Sequence, residues 1–319
     1  MLDAAVSVEA QEIAVDAEID LARKKIVPPN IIDSGTCGAN VTWTLYKDGT
    51  FVISGTGDMQ DYFYNSAPWH LNYRDLIKRA VIEDGVTSVG KHTFRWCKQL
   101  TDAKISDSVT KFNEQAFYYC GNLQALNVPA RLAVIGDDAF WGCSKLPSFD
   151  IPATVSEIGM GAFGRCKKLR SLVIPATVKK IGSWAFHDCT GLTSMVIPPG
   201  ITEIDFFDGC KNLTNVTIPP SVTKIGDMAF NSCKSLTSAT VAKILSNNIT
   251  EIGKCAFENC TGLTGNIALP PSVTKIGYGV FNGCINLKHI YYHYIPGQWH
   301  ETLKKKLTTG GNTKLHELP

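Results

Sequence analysis

The apolar residues of this chain fall into one frame that recurs about every 23 positions. From Cys97 through Cys120, Cys143 and Cys166 to Cys189 the interval is 23 residues each time, and it then reads 21, 23, 27 and 24 through Cys210, Cys233, Cys260 and Cys284. Three residues before these cysteines stand Phe94, Phe117, Phe140, Phe163, Phe186, Phe207, Phe230, Phe257 and Phe281. Three residues after them stand Leu100, Leu123, Leu146, Leu169, Leu192, Leu213, Leu236, Leu263 and Leu287. Full agreement at two offsets is not a product of composition. A fixed period in the twenties is the mark of a solenoid.

Each position of the unit has a physical task. In Leu172-Val173-Ile174 the apolar residues flank one exposed position, the period of a strand. The proline that follows (Pro129, Pro152, Pro175, Pro198, Pro219) ends that strand by withholding a ladder donor. Val178 and Ile181 are spaced for a second short extended segment. Gly182 is expected at positive φ in a sharp turn. Ala185, Phe186 and Cys189 are expected on a short helical or 3₁₀ turn that fills the interior. One such unit cannot cover its own flat faces, so units must stack, at roughly 4.8 Å per coil. The pattern predicts one body from Leu76 to Ile290, against the two domains that length alone would suggest.

The frame Cys-x-x-Leu-x-x-Leu-x-Ile-Pro-x-x-Val-x-x-Ile-Gly-x-x-Ala-Phe-x-x-Cys resembles the BspA-like leucine-rich repeats of bacterial surface proteins. That resemblance implies an α/β leucine-rich-repeat solenoid of about nine 23-residue coils with an N-terminal β-hairpin cap. Residues 34–75 are similar to the cap that precedes such arrays. Val41–Tyr46 and Thr50–Ser54 alternate around Asp48-Gly49 as a hairpin does, and Pro68-Trp69 is expected to pack the cap onto the first coil. Residues 76–290 form the array. Residues 291–319, with Ile290-Tyr-Tyr-His-Tyr and Gln298-Trp299, resemble a closing tail, because open terminal coils expose unpaired strand edges.

Two coils depart from the frame. Ile201–Cys210 lacks the usual Gly and Ala and is two residues short, while the coil ending at Cys260 carries Ala242–Asn248 in place of the proline turn. Both are expected as local irregularities on one edge of the stack. Residues 1–33 stand outside the repeat and lack the basic start and apolar core of a secretory signal. Either the protein is cytoplasmic or these residues follow a removed signal with Met1 an added start. The resemblance favours the second, a secreted or cell-surface protein.

Charge and composition narrow the chemistry. The 319 residues carry 31 basic and 29 acidic side chains, a net charge of +2, which argues against a nucleic-acid partner. No apolar run approaches the ~18 residues of a membrane span, so no membrane insertion is expected. Cysteines spaced in the twenties are not zinc ligands; the one close pair, Cys255 and Cys260, has one member at an outward offset. The nine ladder cysteines are expected as reduced, buried small hydrophobes, with parallel side chains that suit disulfides poorly. Cys37 is expected in the cap core and Cys255 nearest to solvent. His187 lies close to Cys189 in sequence but on an outward offset. No phosphate loop, carboxylate pair or nucleophile elbow is present. No catalytic residue, metal or cofactor is assigned, and an enzyme is not expected.

Three surface patterns remain. Glu157, Lys180, Glu203, Lys224, Glu251 and Lys275 occupy one offset with alternating sign, a device for pairing charges between coils. Trp96, Tyr118, Tyr119 and Trp141 occupy the two offsets just before the cysteine in the first three coils, either as packing against the cap or as a ligand platform. Asp102, Lys104, Asn127, Asp150, Ser171, Val173, Ser194, Val196, Asn215, Thr217 and Thr240 are expected on the exposed strand face. The candidate ligand surface is therefore Trp96, Tyr118, Tyr119, Trp141, Ser171, Ser194, Asn215 and Thr217. The resemblance implies a monomeric, non-enzymatic binding module for a host or neighbouring-cell surface protein or glycan; the alternative is a spacer without a ligand.

Overall fold

The computed structural model describes residues 30–293, 307 and 313–319. The first 29 residues and the Gln298-Trp299 part of the expected tail lie outside the described residues. The cap hairpin forms as the alternation predicts: β2 (Val41–Tyr46) and β3 (Thr50–Gly55) pair antiparallel. An additional strand, β1 (Ile31–Thr36), pairs antiparallel with β2, so the cap has three strands and its first begins before residue 34. Trp69 is fully buried against Trp43, Phe51 and Tyr62, and its indole N–H donates to the Thr93 carbonyl at 2.8 Å. Phe51 meets Phe94 edge-on at 5.9 Å, so cap and first coil share one core.

β3 is also the first rung of the array. It pairs parallel with Arg79–Ile82, which pairs with Asp102–Ile105 and then Ala125–Leu126. A second parallel stack runs through Gly57–Asp58, Val86–Val89, Lys111–Phe112, Val134–Ile135, Glu157–Ile158 and Lys180–Ile181. Beyond it, Glu203–Ile204, Lys224–Ile225, Glu251–Ile252 and Lys275–Ile276 form a separate stack. Gly265–Ala268, Leu287–His293 and Lys314–Leu318 close the C-terminal end in parallel.

The core is a column of phenylalanines. Rings in adjoining coils stack continuously from Phe94 to Phe281 with centroids 5.2–6.0 Å apart. Each such pair adds about 0.5–1.5 kcal/mol beyond area burial. The ladder cysteines are free and buried beside them. They are more than small hydrophobes, because eight of them donate S–H to the carbonyl of a phenylalanine one coil earlier, as Cys166 does to Phe140 at 3.3 Å.

Four local expectations are corrected. Gly182 is not at positive φ; that conformation falls two residues later, at Trp184, and again at Asp188, before the cysteine. Gly182 is required for another reason: a Cβ there would strike the Met160 backbone of the preceding coil, and at Gly253 it would lie 2.5 Å from Gly226. The same left-handed residues explain why the expected helical turn is only a chain of separate i→i+3 bonds, such as Cys189 N–H to Phe186 at 3.1 Å. Alternate N–H groups instead cross to the next coil, as Phe163 does to Ala185.

The strand expected at Leu172-Val173-Ile174 keeps its alternation of buried and exposed residues but forms no strand ladder. Pro147, one coil earlier, sits where Thr101, Gln124 and Thr214 each donate an N–H across the stack, and it has none to give. Phe149 also places a large ring in the interior, 5.1 Å from Phe140 and 5.0 Å from Phe163. In the coil before Cys260, the departure begins earlier than Ala242. Ser238–Leu245 is an α-helix, α1, capped by the Thr237 hydroxyl, with Val241, Ile244 and Leu245 buried. Thr240 is therefore buried on a helix and not exposed on a strand. In the shortened coil, Phe206 takes the slot that alanine fills elsewhere, and Phe186 N–H donates to its carbonyl at 3.1 Å.

Candidate functional site: an aromatic and cationic groove

Two ladders of side chains run along the outside of the turns. The residue before each cysteine reads Trp96, Tyr119, Gly142, Arg165 and Asp188, each at positive φ. The residue before that reads Arg95, Tyr118, Trp141, Gly164 and His187. A glycine follows each large ring, and the ring lies over it. A Cβ on Gly142 would come within 3.0 Å of the Tyr119 ring, and one on Gly164 would enter the Trp141 ring. The rings thereby reach across a whole coil. Arg165 Nη1 donates to the Tyr119 hydroxyl at 3.0 Å, and Trp141 stacks on His187 with centroids 5.4 Å apart.

Trp96 and Tyr119 stack face to face, 4.3 Å between centroids and 9° between planes. Tyr118 packs edge-on to both, and burial followed by its neighbour Tyr119 raises its phenol pKa above the ordinary value. The Lys98 ammonium lies 5.1 Å from the Trp96 ring, and the Arg165 guanidinium 5.8 Å from Trp141. Contact with the cap is confined to Arg95, which sits over Tyr64 at 5.1 Å and donates to Asn65 at 3.1 Å. The patch is half-exposed and does not serve to seal the cap.

Beside the ring stack opens a shallow groove of about 410 Å³. Gly121 and Gly142 form its floor, Trp96 and Tyr119 one wall, and Asn122 and Ser144 contribute polar groups. Lys98, Lys145, Arg165 and Lys167 line it, and among the described residues no acidic side chain does. Lys145 also borders a second depression with Pro147, Lys168 and Arg170 on the strand side. Of these six cations only Arg165 forms a salt bridge among the described residues, to Asp188 at 3.9 Å.

The eight candidate residues are thus only partly assembled. Trp96, Tyr118 and Tyr119 form one cluster, and Trp141 joins it through Arg165. Ser171 is exposed on the unladdered segment, while Ser194 and Asn215 face each other on paired strands with Thr217 beyond. Ser194, Asn215 and Thr217 lie three and four coils past Tyr119, about 14–19 Å along the stack. The lysines and Arg165 were missed by the sequence reading. Their signal was available at the position after each cysteine, which reads Lys98, Gly121, Ser144, Lys167, two small residues between two cations.

Other candidates resolve simply. His187 turns to Asp208 at 3.0 Å while Cys189 is fully buried, its thiol pKa pushed up to about 12 by burial. His289 pairs with His316 at 2.8 Å across parallel strands. Among the described residues no three metal-ligating side chains converge, and no helix is long and apolar enough to cross a membrane.

Parallel coils, a phenylalanine column and an open lateral groove define a capped leucine-rich-repeat solenoid. A profile of the BspA type leucine rich repeat region, in six copies, matches residues 71–193 and 185–296, and the chain belongs to that family. A leucine-rich repeat protein from Eubacterium ventriosum is 22% identical over 89% of this chain and 85% of its own, with a TM-score of 0.58. The T. pallidum leucine rich repeat protein is 25% identical over 70% of this chain and 100% of its own, with a TM-score of 0.53. Both likenesses show the fold. No curated protein matches.

Proposed function

We propose that the chain is a non-enzymatic binding module, secreted or displayed on a cell surface, that engages a surface protein or glycan through the Trp96–Arg165 groove. The observation that carries this reading is the half-exposed Trp96–Tyr119 stack beside cations without counter-charges. An exposed aromatic cluster rimmed by polar groups suits a macromolecular ligand, whereas a small substrate would want a deeper enclosure. Membership of a family named for repeats of bacterial surface proteins supports the location. A spacer without a ligand would need neither the uncompensated lysines nor the ring stack. The test is a binding screen of the full chain against extracellular-matrix proteins and glycans, with Trp96→Ala/Tyr119→Ala alongside. Binding that the double variant loses supports the module. No binder across the panel, with the variant folded, returns the spacer.

A further inference from the structure

We infer that the ligand class of this groove is a polyanionic saccharide, one bearing sulfate or carboxylate groups; this rests on the binding-module reading above. The charge is local. The chain as a whole is nearly neutral at +2, yet Lys98, Lys145, Arg165, Lys167, Lys168 and Arg170 all border two depressions that meet at Lys145. These residues belong to coils spanning about 14 Å of the stack, so successive coils present successive cations along one line. Like charges held that close repel one another within a Debye length of roughly 8 Å, and a bound polyanion relieves the repulsion. Low walls of ring and backbone focus the positive potential into the groove.

The rings add to the same selectivity. Trp96 has Tyr119 on one face and Lys98 near it, and Tyr119 covers Gly142 with its other side. What they present to the groove is their edges, the positive rim of the aromatic quadrupole. Edges attract anionic and hydroxyl oxygens but give a nucleobase no free face on which to stack. An extended acidic peptide would seek unpaired backbone groups. Here the backbone is already used between coils: Trp96 N–H donates to Tyr118 at 2.7 Å, Tyr119 to Trp141 at 2.6 Å and Gly142 to Gly164 at 2.7 Å. Polar groups suited to sugar hydroxyls remain. Asn122 donates its amide to Lys98 O at 2.7 Å, which leaves its carbonyl oxygen as an acceptor, and the Ser144 hydroxyl, donating to Gly121 O at 3.2 Å, keeps its acceptor lone pairs.

The experiment measures binding of the full chain to immobilised heparin, with neutral dextran, poly-glutamate and single-stranded DNA as competitors. Lys145→Ala/Lys167→Ala is compared with Lys211→Ala/Lys234→Ala. Lys211 and Lys234 occupy the same offset as Lys167 in later coils, away from the ring stack. Heparin binding is expected to weaken about tenfold in the first variant and less than about twofold in the second, and to fall as salt rises. Equal loss in both variants, or equal competition by poly-glutamate or DNA, would reveal unselective ion exchange and overturn the inference. If heparin fails while a protein from the matrix panel binds and is lost in Trp96→Ala/Tyr119→Ala, the saccharide inference falls and the binding-module reading stands. If nothing binds, both fall.

Discussion

Arg165 donates a hydrogen bond to the Tyr119 hydroxyl across 3.0 Å, although the two residues are 46 positions and two coils apart. The intervening rung is Gly142, at φ +78 and without a side chain to block the ring. Gly142→Ala is expected to cost about 1–2 kcal/mol from the left-handed backbone alone and to displace the Tyr119 ring. Chemical denaturation measures the first effect, and loss of ligand binding the second. Tyr119→Phe removes only the partly exposed hydrogen bond and should cost about 0.5 kcal/mol. A larger loss in Tyr119→Phe than in Gly142→Ala would contradict this account.

The phenylalanine column makes the middle of the array its most sensitive region. Phe163 stacks on Phe140 and Phe186 and is fully buried. Phe163→Ala should cost about 3–5 kcal/mol, whereas Val173→Ala, on an 81% exposed side chain, should be nearly neutral. Thermal melting of the two variants separates them.

Cysteine reactivity should follow burial. Burial pushes the thiols of Cys37, Cys189 and Cys284 up to about 12, and that of Cys255, with help from Glu258, to about 11. Cys255 alone is not fully buried. A thiol reagent at neutral pH should label at most Cys255, and slowly, in the native chain. All eleven cysteines should react in denaturant. Rapid native labelling of any ladder cysteine would contradict the packing.

The alternating charges pair only where the coils are in register. Lys180 meets Glu157 at 2.6 Å, Lys224 meets Glu203 at 2.9 Å and Glu251 at 3.8 Å, and Lys275 meets Glu251 at 3.6 Å. Lys180 and Glu203 form no pair, because the strand stack is interrupted between them at the shortened coil. A double-mutant cycle on Lys224 and Glu203 should show a coupling of about 0.5 kcal/mol at low salt. The same cycle on Lys180 and Glu203 should show none.

His70 gives the cap a pH dependence. It is fully buried, its Nε2 accepts from Arg74 at 2.9 Å, and burial with Arg74 and Arg95 nearby lowers its pKa from 6.5 to about 4. Between those values the unfolded imidazole binds a proton that the folded one refuses. Stability from this group is therefore complete above pH 6.5 and declines as pH falls toward 4. Melting temperatures from pH 7.5 to 4 should fall less steeply in His70→Gln than in the wild type. An identical slope would remove His70 as a cause.

The period, the nine-rung column, the cap hairpin and the free buried cysteines were all legible in the sequence. Each depends on side-chain volume and spacing, which a repeat states once per coil. The sequence also held Pro147 and the two missing residues of Ile201–Cys210, but not their consequence. A lost donor or a short turn breaks a ladder only with respect to the coil stacked beside it. The glycine rule was visible and misread, since Gly182 answers to the Met160 backbone of the neighbouring coil and not to its own φ. The helix at Ser238–Leu245 replaced a strand because Val241, Ile244 and Leu245 reach the core at helical spacing once the proline turn is gone. The groove was decided by tertiary structure alone. Rings 23 residues apart become a stack, and lysines 22 to 47 residues apart become one rim. Stacking turns equal offsets in the sequence into neighbours in space, and only the fold sets which neighbours leave room between them.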